Sequence, residues 1–332
     1  MSNPFLVEAV RGAVVESRHR GAVAVVDADG RPLLMLGDVA RPVFPRSSVK
    51  ALQALVLMEA GAADRYGFDP AELALACASH GGEPAHVAHA LRMLDKAGLT
   101  PDALECGAHW PMHQPSAQAL WRAGAHASPL TNNCSGKHAG FLCAACAMGA
   151  LPRGYTAPSH PVQRAVKAVL EDLSGAPIGD ESCAVDNCSV PTWAVPLEGL
   201  ALAFARFATG RGLGLVRAQA AERLRSACAA EPWYVAGTGR FCTEMMQHFG
   251  RRAFVKMGAE GVFCGALPEQ GLGIAIKCDD GAGRAAEVTM AAVIARFLPH
   301  DGEDQDFLGR FLRPTLRSWN GAPLGALRAT AW

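Results

Sequence analysis

Residues 252–281 read RAFVKMGAEGVFCGALPEQGLGIAIKCDDG, three apolar runs of strand length separated by short turns that contain Gly. The turns are too short to hold a crossover helix, so the three runs form an antiparallel meander. Working outward, the first 40 residues alternate in the same way. Runs 21–26 and 33–36 flank Asp29-Gly30, a hairpin signal, and Pro42 and Pro45 end this region. Between these ends the apolar period changes to that of helices. It runs over 50–59, closed by Gly61, then from Asp69-Pro70 to a stop at His80-Gly81-Gly82, and from Pro84 to about Lys96. It recurs over 116–122, 137–148, 161–173, 197–208 and 215–230, with Gly210-Arg-Gly-Leu-Gly214 as a helix–helix turn, and after the meander over 287–298. Strands at both ends around a helical middle imply an α/β (α+β) fold of one domain over 1–332. An antiparallel sheet lobe would take about 1–60 and 235–300, and a mainly helical lobe about 61–234. The cleft between the lobes is the expected site.

The chain has 332 residues, 50% hydrophobic and 19% charged, with 31 basic against 31 acidic side chains. That balance offers no electrostatic reason for a nucleic acid or an anionic membrane as partner. No apolar run reaches the roughly 18 residues of a membrane span. The opening MSNPFLVEAVRG has neither a basic nor a continuous apolar region of the kind a secretory signal needs. Eleven Cys, an odd number, suggest reduced thiols and a cytoplasmic location. Cys143 and Cys146 lie in the apolar segment HAGFLCAACAMGA, which reads as core packing rather than a redox pair. Only six of the basic residues are Lys: 50, 96, 137, 167, 256 and 277. A desolvated Lys can act as base or ligand, whereas Arg keeps its charge, so where these six fall is informative.

Three constellations carry chemistry. In Ser47-x-x-Lys50 the hydroxyl and the amine share one face of a first helical turn, within hydrogen-bonding reach, as a nucleophile and its base would. The plainer reading is a capping Ser and a solvated Lys. Lys256-Met257-Gly258 sits on the first strand of the meander, where penicillin-recognising enzymes carry Lys-Thr-Gly. Here Met replaces the hydroxyl residue, and a solvent-facing edge charge is the alternative. Ser79, at the Gly-rich end of its helix, would complete a second Ser–Lys pair with Lys256. His86 and His89 fit no metal spacing and read as helix-surface residues. Cys134-x-x-Lys137 and Cys188 lie in loops dense with Asn, Asp and Gly, TNNCSGK and AVDNCSVP, an unusual setting for core thiols. Two thiolates and a further ligand suit zinc, though spacing alone names no metal.

Together PRSSVK (45–50), CASHGGEPAH (77–86), NNCSGKHAGF (132–141), DNCSVP (186–191), GTGRFCTE (237–244) and the meander from Lys256 resemble the rhizobial-type, or class 3, L-asparaginases of the asparaginase II family. The likeness runs in order from about residue 5 to 300. It implies a fold like that of serine β-lactamases and serine-type glutaminases, and hydrolysis of L-asparagine to L-aspartate and ammonia by a homodimer. It implies two Ser–Lys tandems, which map onto Ser47–Lys50 and Ser79–Lys256. It implies zinc held by Cys134, Lys137 and Cys188, with Asp186 close by. Arg46 and His80, by adjacency and by this likeness, are expected to hold the substrate α-carboxylate, and Asp186 is expected to be a substrate-binding residue with them. Ser47 is then the nucleophile and Lys50 its base. A glutaminase or penicillin-recognising activity, or a non-enzymatic zinc-binding protein, are the competing readings.

Overall fold

A computed structural model describes residues 2–332. In chain order the strands are β1 Phe5–Arg11, β2 Val14–Asp27, β3 Pro32–Leu36, β4 Pro42–Val43, β5 Cys183–Val185, β6 Pro191–Trp193, β7 Val195–Pro196, β8 Phe254–Met257, β9 Val262–Leu267, β10 Leu272–Cys278, β11 Thr315–Arg317 and β12 Pro323–Ala329. Eight of them form one antiparallel sheet in the order β11-β12-β1-β2-β10-β9-β8, with β3 also paired to β2. The meander is β8–β9–β10, with Lys256 opposite Cys264 and Ala275 in turn opposite Cys264 on the other side.

Two helices cover this sheet. Leu197–Thr209 lies across β2, β9 and β10, and Gly283–Phe297 packs on β1, β9, β10 and β12. Two glycines show that they take opposite faces. A Cβ on Gly273 would collide with the backbone of Ala201 and Ala205, while one on Gly265, paired with Ile274, would meet the end of Met290. Adjacent residues of β10 thus face different helices. Every residue of β9 is buried, which is why its sequence is apolar throughout instead of alternating with polar residues.

In the helical lobe, Ser135–Ala147 packs against the helices over 55–59, 70–76, 84–96 and 161–174. Eleven of its thirteen residues are buried, the mark of a central helix surrounded by others. Cys143 is therefore core and Cys146 half-buried, and all eleven Cys are unpaired. Observed and expected helices agree to within a few residues, except that 50–59 is interrupted at Ala54 and that Ala62–Arg65, Pro232–Ala236, Phe241–Phe249 and Gly302–Leu312 are not legible in the sequence. The sheet lobe also continues beyond residue 300. Helix Gly302–Leu312 leads to β11 and β12, which extends the sheet along β1. Among the described residues no helix is long and apolar enough to cross a membrane.

Candidate active site

The turn that carries Ser47 is made by an uncommon backbone. Arg46 has φ +52°, and Arg46–Val49 forms a tight 3-10 turn in place of the expected first α-turn. Ser48 Oγ donates to Pro45 O at 2.7 Å and closes the turn from inside. β8 and β9 lie against it. Gly258 makes that approach possible, because a Cβ there would stand 2.8 Å from Pro45 O and 3.1 Å from Ser48 N. Ser47 itself is half-buried. Lys50 is 1% exposed, and its Nζ donates to Ala78 O at 2.6 Å and to Cys134 Sγ at 3.0 Å. The Ser47–Lys50 hydrogen bond expected from their spacing is not made; Lys50 Nζ is engaged by Ala78 O and Cys134 Sγ instead.

The second pair is joined. Ser79 follows helix Pro70–Ala76, and its N–H donates to Val235 O at 3.0 Å. Lys256 reaches it from β8, donating from Nζ to Ser79 Oγ at 2.8 Å and to Met257 O at 2.9 Å. Burial pushes Lys256 down from 10.5 to about 7, helped by the neighbouring charges of Lys50 and Arg240. Near neutral pH this amine can therefore both accept and return a proton.

Next to Lys50 is a buried cluster of sulfur and nitrogen. Lys137 Nζ donates to Cys188 Sγ at 3.0 Å, as Lys50 does to Cys134. The Cys188 S–H holds the Cys134 thiol well below its ordinary value, and Lys50 and Lys137 add to this against the cost of burial. Cys188 is raised by that same bond and then by burial, so the two sulfurs share one proton. Burial opposes the charge on Lys137, but Cys188 and Cys134 outweigh it and keep the ammonium above its usual value. Above the cluster, Arg46 Nε donates to Asp186 Oδ1 at 2.9 Å and its Nη2 to Asn187 Oδ1 at 3.0 Å. Burial raises Asp186, yet Lys137 and Arg46 bring it below the usual carboxylate value.

The model of the L-asparaginase II family matches residues 7–329, nearly the whole chain. The chain belongs to the L-asparaginase II family. As a member it is an amidohydrolase. No curated protein matches it. Among solved structures it is similar to a β-lactamase from Mycobacterium bovis, at 16% identity, covering 84% of this chain and 95% of that one with a TM-score of 0.40. It is similar to a putative β-lactamase from Bacteroides dorei at 16% identity, covering 78% and 84% with a TM-score of 0.41. It is also similar to Mglu at 16% identity, covering 85% and 69% with a TM-score of 0.37. Overlaps this loose carry no argument about activity.

The residues expected to hold zinc do fit it. Cys134, Lys137 and Cys188 bring two soft thiols and a nitrogen together in a buried place, with the Cys134 thiol held well below its ordinary value; Lys137, raised by the two sulfurs, would have to give up its proton to bind. Among the described residues no three His, Cys, Asp or Glu form a metal-binding group.

The structure places two of the histidines, and for one of them corrects the expectation. His80 is fully buried, with Nδ1 accepting from Gly82 N at 3.0 Å and Nε2 lying 3.0 Å from Ser135 Oγ. Burial pushes its pKa well down, so the ring is neutral, with its proton on Nε2. Its ring shapes the loop after Ser79. His86, expected on a helix surface, is fully buried as well. It stacks on Trp233 at 4.0 Å and on His80 at 4.8 Å, because the chain at 233–234 folds over that face. Arg46 reaches the site, but Asp186 and Asn187 occupy its guanidinium. Glu83 had no role in the sequence reading. Its carboxylate accepts from Thr238 N at 2.9 Å and Thr238 Oγ1 at 2.7 Å. The only signal was that both residues lie in motifs, CASHGGEPAH and GTGRFCTE, that share the site's neighbourhood.

Proposed function

We propose that this family member hydrolyses L-asparagine to L-aspartate and ammonia through an ester on serine. The observation that carries the reading is the hydrogen-bonded pair of half-buried Ser79 and buried Lys256, whose pKa lies near neutrality, in a chain matched over 7–329. Ser47 Oγ attacks the side-chain amide carbon, and Lys50 takes its proton. A backbone N–H beside Ser47 would face the negative oxygen of the tetrahedral intermediate, those of Ser48 and Lys50 being used within the turn. Ser79 and Lys256 deliver a proton to the departing ammonia, leaving a β-aspartyl ester on Ser47. The same pair then takes a proton from water as it attacks the ester, and Lys50 returns its proton to Ser47 Oγ as L-aspartate leaves. Arg46 and Asp186 border the substrate. Cys134, Lys137 and Cys188 would hold a zinc ion, which supplies positive charge beside the bound amide. A cytoplasmic homodimer is the form we propose.

A second reading has one observation in its favour: only Ser79 is hydrogen-bonded to its Lys. In it Ser79 is acylated, with Lys256 as base. Both readings are tested by ammonia release from L-asparagine and L-glutamine by the wild type, Ser47→Ala and Ser79→Ala, with mass spectrometry of the trapped ester. Loss of turnover in both variants supports the double-serine mechanism, and the mass of the labelled peptide names the acylated residue. A wild type that releases no ammonia from asparagine rejects the proposal and leaves a zinc-binding protein. Glutamine is a needed control, because one methylene changes pocket binding by only about 1–3 kcal/mol.

A further inference from the structure

An amino-acid amide brings an α-carboxylate into the site, and that charge needs a cationic partner able to donate in a fork. The cations nearest the two serines are already committed. Arg46 is held by Asp186 and Asn187, Lys50 by Cys134, and Lys256 by Ser79. Arg240 is not. Among the described residues its guanidinium has no ion-pair partner, and Glu244, one turn further on, faces Arg310 at 3.6 Å. Its backbone is fixed from both sides. Two residues before it, Thr238 is bound to Glu83 by N–H and hydroxyl. Two residues after it, Cys242 Sγ accepts from Met257 N at 3.3 Å, beside Lys256. Gly237, at φ +105°, presses on the loop after Ser79, where an added Cβ would stand 3.2 Å from Gly81 N. The half-buried Arg240 is thus suspended between the Ser79 loop and the Lys256 strand, and its charge is felt at Lys256 and at Glu287.

We propose that Arg240 binds the α-carboxylate of the substrate and is the residue that selects amino-acid amides over simple amides. This rests on the amidohydrolase reading above.

The test compares L-asparagine with 3-aminopropanamide, the same molecule without its carboxylate, as substrate or competitive inhibitor. Wild type, Arg240→Gln, Arg240→Lys and Arg46→Gln are measured side by side. Arg240→Gln is expected to raise KM for asparagine about 30-fold, as for loss of a charge-assisted fork. The constant for 3-aminopropanamide should stay within about twofold, since that molecule offers nothing for the fork to bind. Arg240→Lys should fall between, keeping charge without the fork. A misfolded fraction lowers kcat for both compounds and leaves KM in place, so the KM ratio reads the contact itself. An unchanged KM in Arg240→Gln, or equal shifts for both compounds, overturns the assignment and leaves Arg240 as a partner for Glu287. A carboxylate-selective shift confined to Arg46→Gln moves the role to Arg46. A wild type inactive on asparagine defeats the amidohydrolase reading itself, an outcome distinct from all of these.

Discussion

Lys256 is where residue chemistry and pH meet. It is buried, it touches Ser79, and burial pushes it down to about 7. If the pair gives its proton to the departing ammonia, turnover should fall as pH rises through an inflection near 7; if Lys256 is instead the base for Ser79, turnover should rise through it, and in either case Lys256→Arg, which cannot release its proton, should lose about 10²–10⁴ in kcat. Stability changes in a definite direction as well. Between about 7 and 10.5 the unfolded chain binds a proton that the folded chain lacks, so wild-type stability rises with pH across that window. Denaturant titrations of Lys256→Met should show a shallower rise, and identical slopes would refute the buried neutral amine. The Cys134–Lys137–Cys188 cluster, proposed above to hold zinc, gives a second prediction. Cys188→Ser, or removal of metal by chelation, should keep part of the turnover and raise KM, with bound zinc falling from one per chain as read by elemental analysis. Loss of all turnover at saturating asparagine would instead place the metal in the chemistry itself.

At the scale of elements, β10 and helix Leu197–Thr209 meet through Gly273. A Cβ there would stand inside the van der Waals envelopes of Ala201 O and Ala205 N, which are backbone atoms and cannot swing away. Gly273→Ala should thus lower stability by about 3 kcal/mol, at the top of the range for overpacking. Chemical denaturation would measure it, and a loss under about 1 kcal/mol would mean that the helix can lift off the sheet. The sequence reading found β8–β9–β10 because apolar runs and Gly turns are local. It could not find that both faces are covered, since period-two alternation and a double-sided apolar run differ by only a few residues in strands this short. Helix Phe241–Phe249 escaped notice for a similar reason: it is short, and its start is fixed by tertiary contacts of Thr238 and Cys242 rather than by a side-chain cap.

Over the whole molecule, the C-terminal segment is tied to the sheet lobe through Asp304. Its carboxylate receives Arg252 through both Nη1 and Nη2, at 2.7 and 2.8 Å, and lies 2.8 Å from His248 Nε2. Phe307 stacks on His248 at 3.9 Å. Arg252 and then His248 hold the Asp304 carboxyl well below its ordinary 3.8, against the cost of burial. This stabilisation is complete above about pH 4 and declines as pH falls toward the depressed folded value. Asp304→Asn should cost about 2 kcal/mol at pH 7, and the difference from wild type should shrink below pH 4. A constant difference down to pH 2 would rule out this linkage.

By itself the sequence determined the element types, the order of sheet and helical lobes, and the chemical groups available, because periodicity, turn residues and a scarcity of Lys are all local or countable. It also suggested the partnership of Ser79 with Lys256 across 177 positions, a pairing the structure makes at 2.8 Å. Only the tertiary structure decided where each charge is spent. Lys50 goes to a thiol rather than to Ser47, Arg46 to Asp186 and Asn187, and His80 to the interior as a neutral ring. The reason is physical. A side chain's protonation and its partner depend on burial and on neighbours brought from distant parts of the chain, and neither is written in the spacing of nearby residues.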